Sequence, residues 1–195
     1  MPKGRESEMP DESVWQTFFD PDGALRELDC EGQGDTVEFG CGYGTFTLPA
    51  AKMIYGNVVA LDIDPEMVLD TRECAARSNT SNVSCIRCDF MVEGTGFPDA
   101  VFAYAMAFNI LHIENPTQLL GEAIRVLEPG GKLAIIHWKH EKTPRGPSMA
   151  IRPSPDQCRQ WGEQVGFEFV RYQVLTGSPW HWGMILRKPE CGDPG

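Results

Sequence analysis

Basic side chains are scarce in this chain: 17 Lys and Arg stand against 28 Asp and Glu, for a net charge of −11 and a pI near 4.8. The few cations form no stripe, which argues against nucleic acid as substrate or partner, because phosphate backbones demand a basic surface. Long hydrophobic runs are missing too. The longest nearly uncharged one, Ala100 to Ile113, is too short for a membrane span and suits a buried strand with its following turn. The segment before Asp11 is polar and charged, so no secretory leader is expected. No internal repeat is visible. Cysteines number seven, an odd count, and they are scattered through expected strands and helices, which favours reduced thiols in a cytoplasm. Cys85-Ile-Arg-Cys88 has C-x-x-C spacing but no second pair and no His partner, and within a strand its two side chains fall on opposite faces, so no metal site is expected. What remains is a chain of 195 residues, 42% hydrophobic, enough for one domain with a sizeable core. The expected layout is a single domain over 1–195, with an N-terminal arm at 1–19, a core at 35–187 and a tail at 188–195.

The chain is organised around Val37-Glu38-Phe39-Gly40-Cys41-Gly42-Tyr43-Gly44, where a buried strand turns into a helix through three glycines spaced two apart. Asp35 to Phe39 reads as the strand and Thr45 to Tyr55 as the helix. Glycine lets the backbone take positive φ and lets a ligand lie against the peptide itself, facing helix N–H groups. A dinucleotide fingerprint would place glycines at 40, 42 and 45, but position 45 is Thr45, so a nicotinamide enzyme fits poorly. Acids recur at strand ends. Glu38 closes the first strand, Asp62 closes Asn57 to Asp62, and Asp89 follows Val83 to Cys88. Asp62 lies 22 residues beyond Gly40, near the roughly 20 at which a carboxylate meets ribose hydroxyls in doubly wound folds. Asp64, before Pro65, is a natural N-cap for a helix over Pro65 to Ala76.

Upstream, Asp11 is expected to cap a helix over Glu12 to Phe19, whose Val14, Trp15, Phe18 and Phe19 would cover a hydrophobic edge or serve as a lid; a second short helix spans Ala24 to Leu28. Downstream, a loop over Met91 to Pro98 leads into a strand at Ala100 to Ala107, then Phe108-Asn-Ile-Leu-His-Ile113 and a helix at Pro116 to Leu127. In Arg125-Val-Leu-Glu-Pro-Gly-Gly-Lys-Leu-Ala-Ile-Ile136, Pro129 is expected to end the helix, Gly130 and Gly131 to reverse the chain, and Lys132 to begin the next strand. The polar, proline-rich stretch from His137 to Pro155 reads as a substrate loop. A helix from Ser154 or Pro155 to Val165, strands at Phe167 to Leu175 and Trp180 to Arg187, and a frayed end from Glu190 to Gly195 complete the chain.

The E-x-G-x-G-x-G turn, the R-V-L-x-P-G-G-x-L segment and the N-x-L-H after the fourth strand together resemble the class I S-adenosylmethionine-dependent methyltransferases, of the small-molecule type similar to the ubiquinone and menaquinone biosynthesis enzymes. The resemblance spans roughly Asp35 to Arg187. It implies an α/β, three-layer Rossmann-like fold with a seven-stranded, mostly parallel sheet of order 3-2-1-4-5-7-6, strand 7 antiparallel. It implies S-adenosyl-L-methionine as cofactor, S-adenosylhomocysteine as product and a small molecule as acceptor. By the same resemblance Glu38, Gly40, Cys41 and Gly42 hold the cofactor at the turn and Asp62 takes the ribose. Ile63 packs on the adenine, Asp89 with the amides near Phe90 reads the ring edge, and the backbone at Ala107 and Phe108 approaches the sulfonium. His112 and His137, near carboxyl-end loops, are candidate bases for a hydroxyl or amine acceptor. Trp138 is a candidate pocket wall and Arg145 a candidate partner for an anionic acceptor, while Trp180 and Trp182 suit core packing. The alternative is a cofactor-binding subunit or sensor without chemistry. The acceptor, the methylated atom and the oligomeric state are left open by the sequence.

Overall fold

The computed structural model of the chain describes residues 11–190. The first ten residues of the expected arm and residues 191–195 of the expected tail lie outside the described residues. Seven strands form one sheet in the order β3-β2-β1-β4-β5-β7-β6: β1 (Thr36–Phe39), β2 (Val58–Asp62), β3 (Val83–Arg87), β4 (Phe102–Phe108), β5 (Leu127–Trp138), β6 (Glu168–Val174) and β7 (His181–Arg187). β7 runs antiparallel to both its neighbours, and the other pairs are parallel, as expected from the sequence. The helices are α1 (Glu12–Trp15), α2 (Pro21–Glu27), α3 (Thr47–Met53), α4 (Pro65–Arg77), α5 (Pro116–Val126) and α6 (Pro155–Gln164).

The central strands are nearly continuous apolar runs because both faces are covered, and their period-2 alternation divides the core in two. Along β4, Phe102, Ala105 and Ala107 join a cluster with Leu119, Leu120 and Ala123 of α5 and Cys158 of α6. Tyr104, Met106 and Phe108 join the opposite cluster with Leu25 of α2 and Ala50 of α3. Tyr104 keeps its hydroxyl satisfied in that apolar setting by donating to the Leu28 carbonyl at 2.6 Å. Cys85 and Cys88 fall into different clusters, so the C-x-x-C pair is divided by the sheet. Helix starts follow local chemistry. Asp64 accepts from the Glu66 N–H at 3.0 Å to cap α4, and Ser154 with Gln157 forms a reciprocal capping box on α6.

Three local expectations are corrected. Asp11 makes no side-chain cap bond, and the expected helix over Glu12 to Phe19 is a single turn of α1 followed by a 3-10 turn over Gln16–Phe18. α2 begins at Pro21 rather than Ala24, because Asp20 caps it by accepting from Gly23 N–H at 3.1 Å. The Pro129-Gly130-Gly131 segment lies inside β5. Leu127 already has extended backbone, ending α5 at Val126, and the register jumps from Phe102–Leu127 to Tyr104–Lys132. Gly130, with φ 77, donates to the Lys188 carbonyl at 3.0 Å, so the reversal is a bulge stitched to the end of β7.

Candidate active site

β1 sits between β2 and β4, the point at which strand order reverses and where such sheets bind ligands. The turn after β1 has Gly40, Gly42 and Gly44 at φ 81, 52 and 74. A Cβ at Gly40 would stand 2.8 Å from Cδ1 of Ile110, and one at Gly44 would stand 3.0 Å from Cγ2 of Thr71. The turn is thus gripped between the segment after β4 and helix α4, whose Thr71 hydroxyl donates to the Gly42 carbonyl at 2.8 Å. Asp62, at the end of β2, accepts from Gly42 N–H at 3.0 Å on one oxygen and from Asp64 N–H at 2.9 Å on the other. Each oxygen keeps a further lone pair for a ligand. Burial raises the Asp62 pKa, and the two backbone donors work against that rise.

Glu38 is almost wholly buried at 2% exposure and accepts a hydrogen bond from the Thr47 hydroxyl at the start of α3. Burial pushes its pKa up to about 8; the Thr47 bond lowers it, and the nearby Asp62 charge adds to the rise. Burial thus favours the neutral form of the Glu38 carboxyl. Nothing in the sequence around Thr47 marks it as the partner.

A cleft of about 1000 Å³ opens over these groups. Glu38, Gly40, Cys41, Gly42, Asp62, Ile63, Asp89 and Phe90 line one part of it. Trp15, Phe46, Phe108, Ile110 and His112 line another part. Three of the lining rings are joined through the buried Phe19: Trp15 and Phe19 are 4.9 Å apart, Phe19 and Phe46 5.2 Å, Phe46 and Phe108 4.7 Å. No Lys or Arg belongs to the lining among the described residues, whereas Asp64, Glu66 and Glu114 add three carboxylates. Two polar groups on the wall, the Thr45 hydroxyl and the Asn109 carboxamide, have no hydrogen-bond partner among the described residues. Thr45, Phe46 and Asn109 were not singled out by sequence reasoning, and only the motif after β4 hinted at Asn109.

The other sequence candidates lie off this lining. Ala107 is fully buried, one residue behind Phe108. His137 is fully buried, its ring 5.6 Å from that of His112. Burial holds its pKa well below the usual imidazole range. Trp138 packs against Phe18 at 5.3 Å and His181 at 4.1 Å inside the core. Arg145 is exposed, and its carbonyl accepts from Arg152. Arg152 was missed altogether. Only 6% exposed, it donates to the carbonyls of Lys139 and Glu141 at 2.9 Å each and of Pro147 at 2.8 Å, and to the Thr143 hydroxyl at 2.8 Å. One buried guanidinium thereby folds the 139–147 loop onto itself. Among the described residues no group of His, Cys, Asp and Glu is arranged to hold a metal ion, and no helix is long and apolar enough to cross a membrane.

Carboxylates from the ends of three successive parallel strands, gathered around a turn of three left-handed glycines, define an α/β protein built to hold a nucleoside-bearing cofactor. Residues 37–131 match the family model described as a methyltransferase domain. The chain is 27% identical over 203 residues to a mitochondrial 2-methoxy-6-polyprenyl-1,4-benzoquinol methylase of Drosophila melanogaster, an alignment covering 84% of this chain and 67% of that protein. It is 25% identical over 123 residues to a demethylmenaquinone methyltransferase of Shouchella clausii, covering 62% of this chain and 52% of the relative, so it spans about half of that protein. A SAM-dependent methyltransferase from Aquifex aeolicus superposes with a TM-score of 0.79 at 25% identity, covering 91% of this chain and 93% of the other. These likenesses support a class I S-adenosylmethionine-dependent methyltransferase. The residues present suit that cofactor: acceptors for ribose hydroxyls at Asp62, a turn free of side chains for close approach, an unpartnered Thr45 hydroxyl and an acidic lining for a cation.

Proposed function

We propose that the chain methylates an uncharged, hydroxyl- or amino-bearing aromatic small molecule, with the cofactor lodged along Glu38, Asp62 and Asp89 and the acceptor against Trp15, Phe46 and Phe108. The observation that carries this reading is the convergence of the three strand-end carboxylates and the glycine turn on one cleft that continues into an aromatic wall. S-adenosylmethionine supplies a methyl group already activated by its positive sulfur, so the chain's work is alignment and exclusion of water. Asp62 accepts the ribose hydroxyls while its bonds to Gly42 and Asp64 keep the turn in place. Asp89 and the amides near Phe90 meet the adenine edge. His112, on the cleft wall, takes the proton that the acceptor's nucleophile gives up as its bond to the methyl carbon forms. The absence of Lys and Arg from the described lining disfavours a carboxylate or phosphate acceptor, and an aromatic wall suits a flat ring. The acidic surface favours small molecules over nucleic acid. Six described cysteines are unpaired, which accords with a reducing, cytoplasmic setting.

The test is release of S-adenosylhomocysteine on incubation with S-adenosylmethionine and a panel of quinols, phenols and aryl amines, with benzoates and phenyl phosphates as the anionic arm. Turnover confined to the neutral arm is expected. Turnover of the anionic arm alone would contradict the acceptor class, and cofactor binding with no turnover across extracts would favour a binding subunit.

A further inference from the structure

Asn109 is the residue on the cleft wall whose chemistry the site as described leaves unused. It follows β4 directly, at the reversal of strand order, and its backbone N–H donates to the Ile136 carbonyl at 2.7 Å. Its φ is 54, and of the four non-glycine residues with positive φ among the described residues, it is the one that lines the cleft. Oδ1 and Nδ2 of its carboxamide are both shut off from water and, among the described residues, without a hydrogen-bond partner. Buried polar groups are paired in nearly all folded proteins, and an exception on a ligand wall points to a ligand. Its neighbours narrow the choice. Ile110 abuts the Gly40 turn, Phe108 continues the aromatic wall through Phe46, and His112 lies three residues on, so Asn109 stands where the cofactor side meets the aromatic side.

We propose that Asn109 recognises the methyl acceptor: its carboxamide turns out of the wall to give one hydrogen bond to, and take one from, a hydroxyl or amine on the acceptor's ring. This inference rests on the methyltransferase reading above. A hydroxyl answers both halves of a carboxamide at once, whereas an ether can only accept and a bare ring can do neither. A carboxylate would satisfy Nδ2 but face Oδ1 as a second acceptor, in a cleft with no cation among its described lining to compensate.

The test uses the protein saturated with S-adenosylhomocysteine and two probes that share a ring and its oxygen, phenol and anisole, whose binding is followed by ligand-observed NMR. The wild-type complex is expected to bind phenol about tenfold more tightly than anisole. Asn109→Gly removes the carboxamide and accepts φ 54 without strain, so it should fold. It is expected to erase the phenol preference while S-adenosylhomocysteine affinity stays within about twofold. Equal or undetectable binding of the two probes to the wild-type complex would overturn the proposal, as would a preference that survives in Asn109→Gly. Loss of S-adenosylhomocysteine affinity in the variant with the preference intact would also overturn it, assigning Asn109 to the cofactor. Failure of the wild-type protein to bind S-adenosylhomocysteine would sink the methyltransferase reading itself and this inference with it.

Discussion

The half of the sheet built from β1, β2 and β3 and the half built from β5 and β7 treat their polar residues in opposite ways. On the first side Glu38, Asp62 and Asp89 stand at strand ends and open onto one cleft. On the second, His137, His181 and Arg152 are buried behind it, and the 139–147 loop is tied to Arg152 instead of reaching the ligand side. The difference teaches that a strand's carboxyl end is a place fixed by backbone, whereas the destination of a loop side chain is fixed by packing.

Breaking the first half should have the largest effect. Gly40→Val places a β-branched side chain at φ 81 and drives its Cβ to 2.8 Å from Ile110. S-adenosylhomocysteine affinity is expected to fall by more than about 100-fold, read by calorimetry beside a melting curve. Asp62→Ala removes an acceptor for the ligand and for Gly42 and Asp64 N–H together. A weakening of about 1–3 kcal/mol follows in the same titration. Unchanged affinity would remove Asp62 from the site.

Glu38 links the first half to pH. Its pKa of about 8 lies above the ordinary carboxyl value of 4.5, so its contribution to stability is full below 4.5 and is lost as pH rises through 8. A bound cation favours the carboxylate and expels the proton, so affinity for S-adenosylmethionine should climb toward pH 8 by up to about tenfold per unit. Glu38→Gln should flatten that slope in calorimetry across buffers. The second half gives the opposite sign. Burial, then the Arg152 and Lys139 charges, lower the His181 pKa from 6.5 to about 3, so stability is full above 6.5 and is lost as pH falls from 6.5 through 3. The loss is about 1.4 kcal/mol per unit, seen in urea melts, and His181→Phe should reduce it. Arg145→Ala, at an exposed site off the cleft, should leave turnover within about twofold, and a larger loss would bring the loop back to the acceptor.

The strand-end acids were legible because glycine, strand and acid recur at spacings that backbone geometry imposes, and the sheet order followed from the family resemblance that those motifs carry. It left the region after β5 unread for a physical reason. Along β5 neighbouring side chains alternate, so Trp138 meets Phe18 and His181 while His137 stacks near Trp182 on the other face, and nothing local says which face leads to the cleft. Arg152 sits among prolines and polar residues that read as exposed loop, and its burial depends on carbonyls that converge only after folding. α1 is a single turn that lacks the expected side-chain cap from Asp11.

A crystal structure of the protein with S-adenosylhomocysteine tests the central claim most directly. The ribose hydroxyls should lie within hydrogen-bonding distance of Asp62, with the adenine against Ile63 and beside Asp89 and the amino-acid end in the Gly40–Gly44 turn. A ligand seated elsewhere, or one that leaves Asp62 and Asp89 untouched, would contradict the account.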